Sequence, residues 1–102
     1  MLPDAFDLAG RVALVTGAGS PDGIGFATAR LLGELGASVA LTATTDRAYD
    51  RAAELRDHGV DALGVVADLT AEEEVRRCVR TVEEELGVVT VLVNNAGMTS
   101  LA

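Results

Sequence analysis

Between Thr16 and Gly25 the chain reads TGAGSPDGIG, straight after the apolar run Arg11-Val12-Ala13-Leu14-Val15 and straight before a helical pattern that begins near Ile24. That arrangement makes the stretch a glycine-rich turn leading from a strand into a helix. Such a turn presents backbone N–H groups and the positive end of a helix macrodipole to an anion, and glycines let a pyrophosphate approach without meeting a Cβ. No basic side chain is needed. Gly17 suits a tight exit from the strand, Gly23 close approach of a ligand, and Gly25 packing of helix against sheet. The same residues also read as a plain connector, and Gly19-Ser20-Pro21-Asp22 separates the first key glycine from the second. Asp22 is an acid beside a proposed anion site and is expected to point away or be carried to solvent.

The remaining elements follow from hydrophobic period and punctuation. Arg11 to Thr16 is the first strand, with Phe6 and Leu8 expected at its base. From Ile24 to Leu35 a helix carries Ile24, Ala27, Leu31 and Leu35 at helical spacing, stopped by Gly36. Ser38 to Ala43 is a second strand. A helix capped by Thr45 or Asp46 buries Ala48, Ala52 and Leu55 and ends at Gly59. Ala62 to Ala67 is a third strand running into Asp68-Leu69-Thr70. Thr70 and Glu73 form a capping box, and the helix they open carries Val75, Cys78, Val79, Val82 and Leu86 on its buried stripe, with its acids and arginines largely outside. Val89 to Val93 is a fourth strand, delivering Asn94-Asn95-Ala96-Gly97. Strands that alternate with helices of this length pair in parallel through right-handed crossovers, so the expectation is α/β, βαβαβαβ.

Charge narrows the partners. The formal net charge of −8 disfavours nucleic acid and anionic membranes, which call for a basic face. No apolar run reaches the length of a membrane span and the start MLPDAFDLAG lacks a targeting pattern, which reads as cytoplasmic. All eight basic residues are arginine; there is no lysine. One cysteine, Cys78, and one histidine, His58, leave no spacing for a metal site. Cys78 reads as a buried small hydrophobe and His58 as a partner of a helix C-terminus.

The glycine turn after strand one, Asp68-Leu69 after strand three and NNAG after strand four together resemble the N-terminal half of the short-chain dehydrogenase/reductase family, over the whole chain from about Phe6. The resemblance implies an incomplete Rossmann-type doubly wound parallel sheet of order 3-2-1-4, with a nicotinamide dinucleotide across the C-terminal ends of the strands. It implies that Gly17, Ser20, Gly23, Ile24 and Gly25 meet the pyrophosphate, Asp68 accepts from the adenine amino group and Leu69 packs by the ring. Asn94, Ala96 and Gly97 would line the ribose and nicotinamide side, the asparagines also cross-linking strand four to its neighbours. An acid at the end of strand two binds the ribose 2′-hydroxyl of NAD. Here Ala43 stands in that place, and Thr44, Thr45 and Arg47 offer hydroxyls, amides and a cation to a 2′-phosphate. That favours NADP(H) and leaves NAD(H) open, and the TATT stretch resembles the β-ketoacyl-carrier-protein reductases within the family.

In that family a tyrosine moves the proton with a lysine four residues on. This chain has one tyrosine, Tyr49, followed four residues later by Ala53, and carries no catalytic residue of that kind. Residues 1–102 therefore read as the N-terminal part of a single NAD(P)-binding domain, cut after strand four. A small carbonyl or alcohol substrate and a homo-oligomer are expected only of a full-length protein. A dinucleotide-binding module without chemistry is the alternative. A methyltransferase is disfavoured by the missing acid after strand two, and a P-loop protein is excluded by the missing lysine.

Overall fold

The computed structural model describes residues 7–95. Four strands, β1 (Val12–Val15), β2 (Ser38–Ala43), β3 (Ala62–Val66) and β4 (Val91–Val93), alternate with three helices, α1 (Ile24–Glu34), α2 (Arg47–Asp57) and α3 (Glu72–Glu85). The sheet is parallel throughout, in the order β3-β2-β1-β4, as the crossover rules require. The central strands β1 and β2 are apolar and buried on both faces, which is why they read as continuous runs rather than alternating ones.

The two faces are filled differently. One carries α1 and α2 over Val15, Val39 and Leu41; the other carries α3 over Leu14, Ala40 and Val65, through Cys78 and Val82. The α2 stripe is the expected one, with Ala48, Ala52 and Leu55 buried. On α3, Cys78 and Val82 are buried as expected, but Val75 in the first turn is exposed. The α1 stripe departs further. Ile24 and Leu31 are 78% and 55% exposed, while Gly25 and Ala29 are buried and Phe26 and Leu32 pack on the core. Small residues won this face because the helix lies close: a Cβ on Gly33 would come within 2.5 Å of Val60 Cγ1.

Element ends also moved. β1, β3 and β4 are each shorter than their apolar runs, since Thr16, Ala67 and Val89-Thr90 already belong to the turns. The capping box at Thr70 and Glu73 does not form. The N-cap of α3 is Ala71, without a side-chain cap, because Thr70 turns its amide and hydroxyl back onto Asp68 Oδ1 at 3.0 and 2.6 Å. At α2, Asp46 occupies the N-cap without using its carboxylate, and Thr45 Oγ1 accepts the Arg47 amide at 3.4 Å. Leu8 packs at the base of the core as expected; Phe6 lies outside the described residues.

Candidate functional site

All three turns leaving the C-terminal ends of β1, β2 and β3 open onto one cleft of about 920 Å³. Gly17, Gly19 and Ser20 come from the first turn, Thr42 and Ala43 from the end of β2 with Thr44, Thr45 and Arg47 from the turn and helix start after it, Ala67 to Thr70 from the third turn; Asn94 joins from just after β4. Among the residues lining it, Arg47 is the one cation and Asp68 the one acid.

The glycine turn is held from behind and left open in front. Its first peptides are tied to β2: the Gly17 amide donates to Thr42 Oγ1 at 3.3 Å and the Ala18 amide to the Thr42 carbonyl at 2.8 Å. Gly17 sits at φ +65°, which a Cβ would oppose. From the other side Asn95 Nδ2 donates to the Gly17 carbonyl at 3.0 Å, while Thr16 Oγ1 joins Asn94 Oδ1 at 3.2 Å and accepts the Asn95 amide at 3.0 Å. The two asparagines thus bind the end of β4 to the turn after β1.

In front, α1 begins at Gly23 with no side-chain cap and no acid in its first turn. The amides of Ile24, Gly25 and Phe26 have no protein acceptor among the described residues, and Gly23 N–H alone folds back, onto the Ser20 carbonyl at 3.1 Å. Orphan amides at an uncapped helix start are chemically suited to an anion. Asp22 is exposed, so its charge is left to solvent.

The glycines divide as their surroundings dictate. A Cβ on Gly25 would lie 2.6 Å from Asn95 Nδ2 and 2.9 Å from the Gly17 carbonyl. Gly23, by contrast, has φ −85° and ψ 161°, a backbone any residue adopts, and a Cβ there would meet only Ser20 at 3.3 Å. Packing explains Gly25; among the described residues a Cβ on Gly23 would make a tight contact only with the Ser20 side chain, and its backbone angles suit any residue. Gly19, unassigned from sequence, is buried against β2: its Cβ would sit 2.8 Å from that of Ala43. Two small residues facing each other across two turns were the available signal, and it needs the fold to be read.

Asp68 is fixed as an Asx turn. Thr70 hydroxyl and amide hold its carboxyl below the ordinary range, and it faces solvent at the cleft. Leu69 lines the same cleft, half-buried. Gly17, Ser20, Thr44, Thr45, Arg47, Asp68, Leu69 and Asn94 are brought together at the cleft, and Gly23, Ile24 and Gly25 form the helix start beside it. Ala96 and Gly97 lie outside the described residues. Tyr49 is exposed on α2, and His58 Nδ1 donates to the Glu54 carbonyl at 2.9 Å near the end of α2. Among the described residues no His, Cys, Asp and Glu cluster could hold a metal, and no helix is long and apolar enough to cross a membrane.

Known proteins share this fold. The short chain dehydrogenase family model matches residues 11–102. The chain belongs to that family. It is 44% identical over 93 residues to a 3-oxoacyl-[acyl-carrier-protein] reductase of Pseudomonas aeruginosa, covering 90% of this chain and 37% of the relative. It is 37% identical over 100 residues to a 2-dehydro-3-deoxy-D-gluconate 5-dehydrogenase of Formosa agariphila, covering 96% and 37%. The crystal structure of a short chain dehydrogenase from Mycobacterium smegmatis superposes with a TM-score of 0.86 at 36% identity, over 93% of this chain and 40% of that one. The chain thus spans little more than a third of its curated relatives' length. These relatives are dehydrogenases and reductases, and the family as a whole uses NAD(P).

Proposed function

We propose that residues 1–102 form the dinucleotide-binding portion of a single NAD(P)-dependent oxidoreductase domain. One observation carries the reading: the glycine turn that ends in the open amides of Ile24 and Gly25 sends Gly17, Gly19 and Ser20 into the same cleft as Asp68, Thr44, Thr45 and Arg47. Gly17, Ser20, Gly23, Ile24 and Gly25 would cradle the diphosphate, with the unneeded Cβ of Gly23 left off to admit it. Asp68 would accept from the adenine amino group beside Leu69. Asn94, with Ala96 and Gly97, would line the nicotinamide-side ribose. When bound, the nicotinamide supplies or accepts hydride at a carbonyl or alcohol carbon; these residues bind and orient it.

NADP(H) is the favoured cofactor. Ala43 puts no carboxylate at the end of β2. Thr44, Thr45 and Arg47 line that end of the cleft and suit a 2′-phosphate. A 3-oxoacyl thioester is the favoured substrate of the whole enzyme, supported by the β2-end tetrad and by the name of the Pseudomonas relative. Substrate turnover, homo-oligomerisation and a cytoplasmic setting belong to that whole protein. With no Tyr-x-x-x-Lys pair, these residues alone bind without turning over a carbonyl.

Titration of the chain with NADPH and NADH tests this. NADPH binds more tightly, and Arg47→Ala removes roughly tenfold of its affinity while leaving NADH unchanged, the worth of one charge-assisted contact. Equal affinity for the two cofactors refutes the NADP(H) assignment, and failure to bind either refutes the dinucleotide site.

A further inference from the structure

The acids and arginines of α3 read from sequence as a solvated face, but two of them reach back to the Asp68 turn and the end of β3. Glu74 Oε1 accepts the Asp68 amide at 3.4 Å. Arg77 grips Glu74 with a two-point fork, Nε to Oε2 at 3.2 Å and Nη2 to Oε1 at 3.0 Å. The same Nη2 donates to the Val66 carbonyl, the last of β3, at 2.7 Å. A chain of bonds therefore runs from the end of β3 through Arg77 and Glu74 to the backbone of Asp68. No cap side chain at Ala71 shares this duty.

From this geometry we infer that Glu74 and Arg77 are positioning residues for the adenine end of the dinucleotide. They act through Asp68 and touch no ligand, resting on the proposed role of Asp68 as the adenine acceptor. The physical argument is one of freedom. Asp68 is exposed, and among the described residues its carboxylate is tied only to its own turn through Thr70. That tie shapes the turn but does not anchor it to the sheet. The anchors are the Ala67 amide on the Ala43 carbonyl at 3.0 Å and, from the helix side, the Ala71 amide on the Asp68 carbonyl at 3.2 Å and the Arg77–Glu74 link, the one made by side chains. A fork is the right device, because a planar guanidinium serves a carboxylate and a carbonyl at fixed angles where an ammonium would not. Holding a recognition group by a second layer of bonds lowers the ordering cost of binding.

The test uses the 102-residue chain, with two probes read by amide chemical-shift titration: adenosine 5′-monophosphate, which needs the Asp68 turn, and inorganic pyrophosphate, which needs only the glycine turn. Glu74→Ala and Arg77→Met each weaken adenosine 5′-monophosphate by roughly five- to tenfold and leave pyrophosphate within about twofold. Glu74→Gln, which keeps an acceptor for the Asp68 amide, recovers most of the loss and also serves if the alanine variant folds poorly. Unchanged affinity for adenosine 5′-monophosphate, or equal weakening of both probes, overturns the positioning role. A wild-type chain that binds pyrophosphate but not adenosine 5′-monophosphate refutes the adenine assignment of Asp68 itself, and the inference with it.

Discussion

Replacing the two glycines at the start of α1 one at a time separates what each contributes. In Gly25→Ala the new Cβ stands 2.6 Å from Asn95 Nδ2, 2.9 Å from the Gly17 carbonyl and 3.1 Å from Ala18 Cα, against 3.4–4 Å for ordinary contact. Two of the three are backbone, so the turn must retreat by about half an ångström; overpacking of that kind costs about 1–3 kcal/mol. The retreat also breaks the Asn95–Gly17 bond, worth about 1 kcal/mol, and better helix propensity returns at most about 1 kcal/mol. The net is about 2 kcal/mol, or roughly 8–15 °C in Tm for a chain of this size. Gly23→Ala meets only Ser20 at 3.3 Å in an ordinary backbone conformation and loses about 0.5–1 kcal/mol as a poorer N-cap. Its methyl group, however, would enter the space proposed for the diphosphate. Thermal melts and NADPH titrations of both variants give the expected pattern: Gly25→Ala is clearly destabilised, whereas Gly23→Ala melts within about 5 °C of the parent and binds at least roughly tenfold more weakly. A Gly25→Ala chain of unaltered Tm, or a Gly23→Ala chain of unaltered affinity, refutes the division of labour.

Three further outcomes follow from the geometry. Thr70→Val removes the hydroxyl that does most to hold Asp68 ionised, so its carboxyl titrates closer to the ordinary 3.8 in a carbon-detected NMR titration; an unmoved titration would contradict the Asx turn. Since the folded value lies below the ordinary one, Asp68 contributes its stability in full above about pH 4 and loses it as pH falls through the folded value. Cys78 is buried and burial pushes its thiol above 9.0, so iodoacetamide at pH 8 modifies the native chain roughly a hundredfold more slowly than the unfolded one; equal rates would place the thiol at the surface. Val82→Ala empties a fully buried position between α3 and the sheet and costs about 2 kcal/mol in urea unfolding, against under about 0.5 kcal/mol for Glu83→Ala on the exposed face.

The sequence alone determined the path of the chain. Glycines at 17, 36, 59 and 87 all take positive φ in the structure, and each stands where an apolar period breaks, so the ends of the first strand and of all three helices were legible. Given that alternation, the handedness of crossovers left little choice but a parallel sheet, and the turns after its strands had to share one edge. Tertiary structure decided which atoms face each other. It turned α1 onto Gly25 and Ala29 instead of Ile24 and Leu31, because close approach to the sheet rewards a missing side chain more than a large one. It set Gly19 against Ala43, and it took Glu74 rather than Glu73 back to the Asp68 turn once Ala71 became the helix start. Period and punctuation are local properties that a chain carries with it; the rotation of a helix by one residue is settled only by the surface it is pressed against.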